Sequence, residues 1–242
     1  MSPRDERRGG ARVRGAQARR SAASIPERRV VFVVAEGERT EREYLGRIDG
    51  KYGRRHGFHL RFPEGTHGRK PSEVVDDAEK LADDDVETWA FFDRDQHPGI
   101  PQAMAAARKA GIRVAFSHPA FELWLLLHFQ QFAAPQGGDN ARATRELRRK
   151  PGFEDYDRSQ RDGKGITADR FDALTADGGI ARAVRNARRL DDDCPSGCCS
   201  GRDPKEEGHP PGRCDPIRRD PSTGVWRLIE GLGITDTRSQ KG

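Results

Sequence analysis

Three carboxylates, Glu36, Asp93 and Asp95, stand at the ends of two short apolar runs, a placement suited to metal-assisted phosphoryl transfer. Residues 30–35 (VVFVVA) lead into Glu36-Gly37, and residues 88–92 (TWAFF) lead into Asp93-Arg94-Asp95. A carboxylate at the edge of a buried sheet is costly unless something compensates its charge. Mg²⁺ or Mn²⁺ does so well, since these hard cations take oxygen ligands and leave positions for water and substrate phosphate. Asp93 and Asp95 flank a single residue, so a strand end and its turn can aim both at one point. Glu36 reaches the same crevice from a neighbouring strand, as a ligand or as a general base. Gly37 permits a tight strand-to-helix turn and the close approach of a phosphate. An Asp-x-Asp pair alone is an ordinary acidic turn. Two acidic exits on one sheet edge make a metal site the better reading.

Further candidates surround this core. Glu122 opens an apolar helix beside the same edge, where it completes the site or stabilises the helix N-terminus. Glu38 and Glu41, in the first turn after Gly37, are candidates for an outer ring, although the helix dipole favours acids there too. His118 sits at a strand exit, within reach of a phosphate or a proton. His67 and Lys70, in the Gly-flanked THGRKP loop, and Lys164, between two glycines, are candidate phosphate contacts. His128, deep among leucines, reads as a hydrogen-bonded core residue. Cys194, Cys198, Cys199 and Cys214 cluster late in the chain. Their spacing lacks paired C-x₂-C knuckles, so a structural Zn²⁺, with Cys214 or His209 as the fourth ligand, competes with free thiols in a loop.

The elements that must position these groups follow from the apolar pattern. Strands are expected at residues 30–35, 58–62, 88–92 and 112–116. Helices are expected at 38–48, 71–82, 100–110 and 120–132. Strands alternating with helices predict an α/β fold, a parallel sheet of about four strands with helices on both faces. Ligands then bind outside the carboxyl ends of the strands. Helical spacing continues at 141–149, 171–190 and 223–232. The predicted organisation is a disordered basic arm (1–28), an α/β domain (29–135), a helical C-terminal region (136–235) carrying a Cys-rich insertion (191–220), and a disordered tail (236–242).

Composition bounds the function. Of 242 residues 33% are hydrophobic and 34% charged, lean for one compact domain, so part of the chain is expected to lack a core. Residues 1–29 hold nine arginines against three acidic residues, and this arm accounts for the net charge of +5. It reads either as a gatherer of nucleic acid or as a solubilising tail. The longest apolar run, near 123–129, is interrupted by His128 and falls short of a membrane span. No apolar signal segment follows the N-terminus, so the expected location is the cytoplasm.

The motifs resemble a known family. A Glu-Gly after the first strand with Asp-x-Asp after a later one is similar to the Toprim domain, the metal-binding module of topoisomerases, primases and OLD-type nucleases. The blocks EGERTE (36–41), FDRD (92–95), HPAFELWLLLHF (118–129) and DPST (220–223) resemble, more specifically, the RloB-like family. The resemblance covers roughly residues 28–232, with FELWLLLHF its most distinctive part. His118 departs from the Asn expected there, and the Cys-rich stretch reads as an insertion. The resemblance implies a Toprim-type nuclease of bacterial restriction and abortive-infection loci, often encoded beside an ATPase. On it, Glu36, Asp93 and Asp95 are the metal ligands.

The leading expectation is thus a Mg²⁺- or Mn²⁺-dependent nuclease acting on DNA or RNA in anti-phage defence. One alternative is a small-molecule phosphohydrolase using the Asp93-x-Asp95 pair. The other is a non-catalytic nucleic-acid-binding partner of an ATPase.

Overall fold

The computed structural model describes residues 28–65, 68–83, 85–94, 99–137, 139–158, 160, 162–192 and 216–235. Five strands form one sheet in the order β2-β1-β3-β4-β5. They are β1 (Arg29–Ala35), β2 (Phe58–Arg61), β3 (Glu87–Asp93), β4 (Arg113–His118) and β5 (Ser222–Thr223). The first four are parallel, and β5 pairs antiparallel with β4, Ser117 opposite Thr223. The α/β expectation holds, with a fifth strand added. Two residues without an apolar run give β5 no signal in the sequence.

Alternation along the strands divides the core in two, because successive side chains point to opposite faces. On one face Val34, Ala90, Phe92, Val114 and Phe116 pack against α3 (Pro71–Glu79) and α4 (Ile100–Lys109). On the other, Val31, Val33, Trp89, Phe91 and Ala115 meet α1 (Thr40–Ile48) and α5 (Glu122–Leu127). A π-turn at Asp49–Gly53 and the short α2 (Arg54–His56) extend α1 towards β2.

This second core continues into α6 (Ala141–Leu147), α7 (Ala168–Thr175), α8 (Gly179–Asp192) and α9 (Val225–Gly231). Leu147, Phe171, Ile180, Val184 and Ile229 all belong to it. The C-terminal helices therefore share the apolar layer of the sheet.

The helical stretch over residues 49–56 lies outside the expected elements, the helix expected at 71–82 ends at Glu79, and two others depart further. The single helix expected at 171–190 is broken: Asp177 and Gly178 take φ of 49° and 73°. A Cβ on Gly179 would lie 1.9 Å from the Leu174 carbonyl, so the chain turns where only glycine fits. The helix expected at 120–132 ends at Leu127. There the bonds tighten to His128 N–Leu125 O and Phe129 N–Leu126 O. Side chains of α8 take the carbonyls a longer helix would use, Asn186 donating to Leu127 and Arg182 to His128.

Candidate functional site

In the order β2-β1-β3, the chain leaves β1 towards one side and arrives at β3 on the other. The crevice between their carboxyl ends is where such sheets place ligands. Glu36 directly follows β1 and Asp93 closes β3, so the two acids line that crevice. Glu36 Oε2 accepts the Asp93 backbone N–H at 3.2 Å. Asp93 Oδ2 accepts the Phe121 N–H at 3.1 Å, tying β3 to the entry of α5.

Two further carboxylates converge here. Glu41, 9% exposed, folds its carboxylate back over Gly37, where a Cβ would lie 2.0 Å from Glu41 Oε2. The close approach that Gly37 permits is thus to a side chain of the helix that follows it. Glu122, 4% exposed, holds three donors. Tyr156 Oη lies 3.2 Å and Lys164 Nζ 2.9 Å from its Oε1, and Asn140 Nδ2 lies 2.7 Å from Oε2.

The electrostatics record the crowding. Burial, reinforced by Glu41, Glu122 and Glu36, holds Asp93 well above the usual carboxylate range. Burial, with Glu122 and Glu36 adding to it, pushes Glu41 up to about 7. Burial lowers the Lys164 ammonium, but Glu122 more than offsets this and raises it overall. Burial and the same carboxylate raise the Tyr156 hydroxyl far above its usual value.

Lys164 arrives through a loop locked on two sides. Thr40 Oγ1 donates to the Lys164 carbonyl at 3.0 Å, and the Ile166 N–H donates to Glu43 at 2.6 Å. From the other side buried Arg170 donates to the carbonyls of Gly152, Gly163 and Gly165 and pairs with Asp155 at 2.6 Å. Its guanidinium also stacks over Tyr156, 5.2 Å from the ring centroid.

Of the sequence candidates, Glu36, Asp93, Glu122, Glu41 and Lys164 come together. Glu38 is exposed near Gly68, whose N–H bonds the Glu36 carbonyl. Lys70 is exposed at the start of α3, its N–H donating to Glu73. His118 turns to Asp220, 3.9 Å away across the β4–β5 pair, and burial lowers its pKa. His128 is the core residue expected. Its Nδ1–H donates to the Leu174 carbonyl at 2.9 Å and its Nε2 accepts from Tyr44 at 3.2 Å. Burial pushes it down to about 4. Asp95, His67, His209, Cys194, Cys198, Cys199 and Cys214 lie outside the described residues.

The sequence reading missed Tyr156, Asn140 and Arg170, which hold Glu122 or the loop that reaches it. No short-range pattern marks Tyr156 and Asn140, whose partner Glu122 lies 34 and 18 residues away, while Arg170 bonds carbonyls from 5 to 18 residues away with no periodic signal. A cavity of about 630 Å³ lined by Arg29, Asp83, Glu87 and Arg113 lies at the opposite sheet edge. It surrounds the ion pairs of Glu87 rather than the carboxylates.

By donor type the cluster fits a hard divalent cation: its donors are all carboxylate oxygens, and the raised Asp93 and Glu41 carboxyls are where a dication would relieve the crowding. Among the described residues, no three His, Cys, Asp or Glu side chains already converge as a metal-ligand set. Among them too, no helix is long and apolar enough to cross a membrane. A family model described as RloB-like protein matches residues 31–232. No curated protein and no solved structure matches.

Proposed function

The chain belongs to the RloB-like family, and from that premise we propose that it is a Toprim-type, Mg²⁺- or Mn²⁺-dependent nuclease. The observation that carries the reading is Asp93 at the β1/β3 crevice, bonded through its backbone to Glu36 and raised by burial and by Glu41, Glu122 and Glu36, with Glu41 raised too. Such pKa perturbation in a crevice is characteristic of functional sites. Glu36, Asp93 and, beyond the described residues, Asp95 would hold the cation, with Glu122 beside them. A cation bound there would polarise a phosphate and supply an activated water.

The protein's own contributions follow from the geometry. The Phe121 N–H fixes the Asp93 carboxylate at the α5 entry. Tyr156 and Asn140 hold the two Glu122 oxygens, keeping that carboxylate oriented. Lys164, about half exposed, offers a positive charge at the mouth of an acidic site, where a phosphodiester would meet it. The substrate is DNA or RNA, and the setting is bacterial anti-phage defence with an ATPase partner, as the family resemblance implies.

The test is incubation of the purified protein, with and without its ATPase partner, with transfer RNA, single-stranded DNA and duplex DNA. Mn²⁺-dependent fragmentation that Asp93→Asn abolishes is expected. Equal fragmentation by the folded variant would remove the cluster from the chemistry.

A further inference from the structure

The helix that begins at the site carries an exposed cationic face that no part of the acidic cluster uses. Asn140, which holds Glu122 Oε2 at 2.7 Å, immediately precedes α6. Along α6, Ala143, Thr144 and Leu147 are buried against the core, while Arg142 and Arg145 are exposed on the opposite side. At 100° per residue these two arginines lie within about 60° of each other. At ~1.5 Å rise per residue they stand about 3 and 8 Å beyond Asn140 along the helix axis.

Neither arginine is committed to a carboxylate among the described residues. Arg142 stacks over the Phe132 ring at 5.7 Å, which orients its guanidinium without neutralising it. Arg149, one turn further, is already paired with Glu146 at 2.8 Å. The arginines of α8 differ in place. Arg182 bonds the His128 carbonyl at the far end of α5, away from Glu122.

We propose that the exposed face of α6 is the track along which a nucleic-acid backbone runs to the carboxylate cluster, with Arg142 and Arg145 as its phosphate contacts. The proposal rests on the nuclease reading and adds to it the direction from which the strand enters. Arginine suits this role because its planar fork meets phosphate oxygens in pairs. Such contacts position a backbone without reading its sequence.

The experiment measures binding by fluorescence anisotropy on the full chain in EDTA, over a KCl series, with labelled single-stranded RNA, single-stranded DNA and duplex DNA. Three double variants are compared with wild type. Arg142→Ala/Arg145→Ala removes the track and Arg142→Lys/Arg145→Lys retains its charge. Arg108→Ala/Lys109→Ala removes equal charge from the end of α4, at the opposite edge of the sheet. The track variant should lower the slope of log K against log [KCl] by about 1.4 for a single strand or 1.8 for a duplex. It should weaken binding at low salt about tenfold, two phosphate contacts being lost. The lysine variant should restore most of the slope, and the α4 variant should change little. Unchanged binding by the track variant, or equal losses in the track and α4 variants, overturns the track while leaving the nuclease reading standing. Failure of wild type to bind any of the three nucleic acids in EDTA overturns the track, while the nuclease reading is decided separately by the Mn²⁺ fragmentation assay.

Discussion

Replacing Glu41 by glutamine should stabilise the metal-free protein above neutral pH, although it removes a group buried in the middle of the fold. The Glu41 carboxylate lies over Gly37, and burial together with Glu122 and Glu36 pushes it from 4.5 up to about 7. A group whose folded pKa is raised binds its proton more tightly in the native state. Ionising it therefore costs stability as pH climbs from the unfolded value to the folded one. At about 1.4 kcal/mol per unit, that gap amounts to roughly 3 kcal/mol lost by pH 8. Glutamine keeps the shape and removes the charge. Urea denaturation in EDTA should therefore show Glu41→Gln more stable than wild type by about 2–3 kcal/mol at pH 8. The difference should shrink towards zero at pH 4.5 and below. Mn²⁺ should then stabilise wild type more than the variant, because the ionised carboxylate is what a cation relieves. Equal stability at pH 8, or a less stable variant there, would refute the reasoning that these acids crowd one another.

The remaining predictions concern the groups that build the site. His128 is held down to about 4, so its contribution is intact above pH 6.5 and is lost as pH falls towards 4. The stability advantage of wild type over His128→Gln should shrink by about 3 kcal/mol across that window, read by urea denaturation at each pH. Gly37→Ala should place a methyl 2.0 Å from the Glu41 carboxylate. Calorimetry should show weakened Mn²⁺ affinity, while circular dichroism shows the fold retained. Arg170→Ala should cost about 3 kcal/mol, because three loop carbonyls lose their buried donor. Hydrogen exchange across residues 152–165 should rise in that variant.

Part of this is legible in the sequence. β-branched and aromatic runs at β1, β3 and β4 mark buried strands, and Glu36 and Asp93 stand at their ends because strand ends are where a parallel sheet presents ligands. Glu41 and Glu122 were visible only as acids in first helical turns, a position that the helix dipole also explains. What separates the two readings is burial, which depends on α1 and α5 meeting over the crevice. Lys164 stood out as a lysine between glycines, but its route to Glu122 depends on Thr40 and Glu43, both more than 120 residues away, as well as on the nearby Arg170. The break at Asp177–Gly179 had a local signal in its paired glycines, which the apolar periodicity on either side outweighed. β5 had none, since its pairing with β4 is set by the C-terminal segment folding back.

The central claim is that the β1/β3 carboxylate cluster is a divalent-cation site, and isothermal titration of Mn²⁺ into the purified protein at pH 8 tests it most directly. The account predicts saturable binding by wild type, weakened at least tenfold in Asp93→Asn and in Glu122→Gln, with both variants folded by circular dichroism. Wild-type binding retained at full affinity in Asp93→Asn, or no binding by wild type at millimolar Mn²⁺, would contradict it.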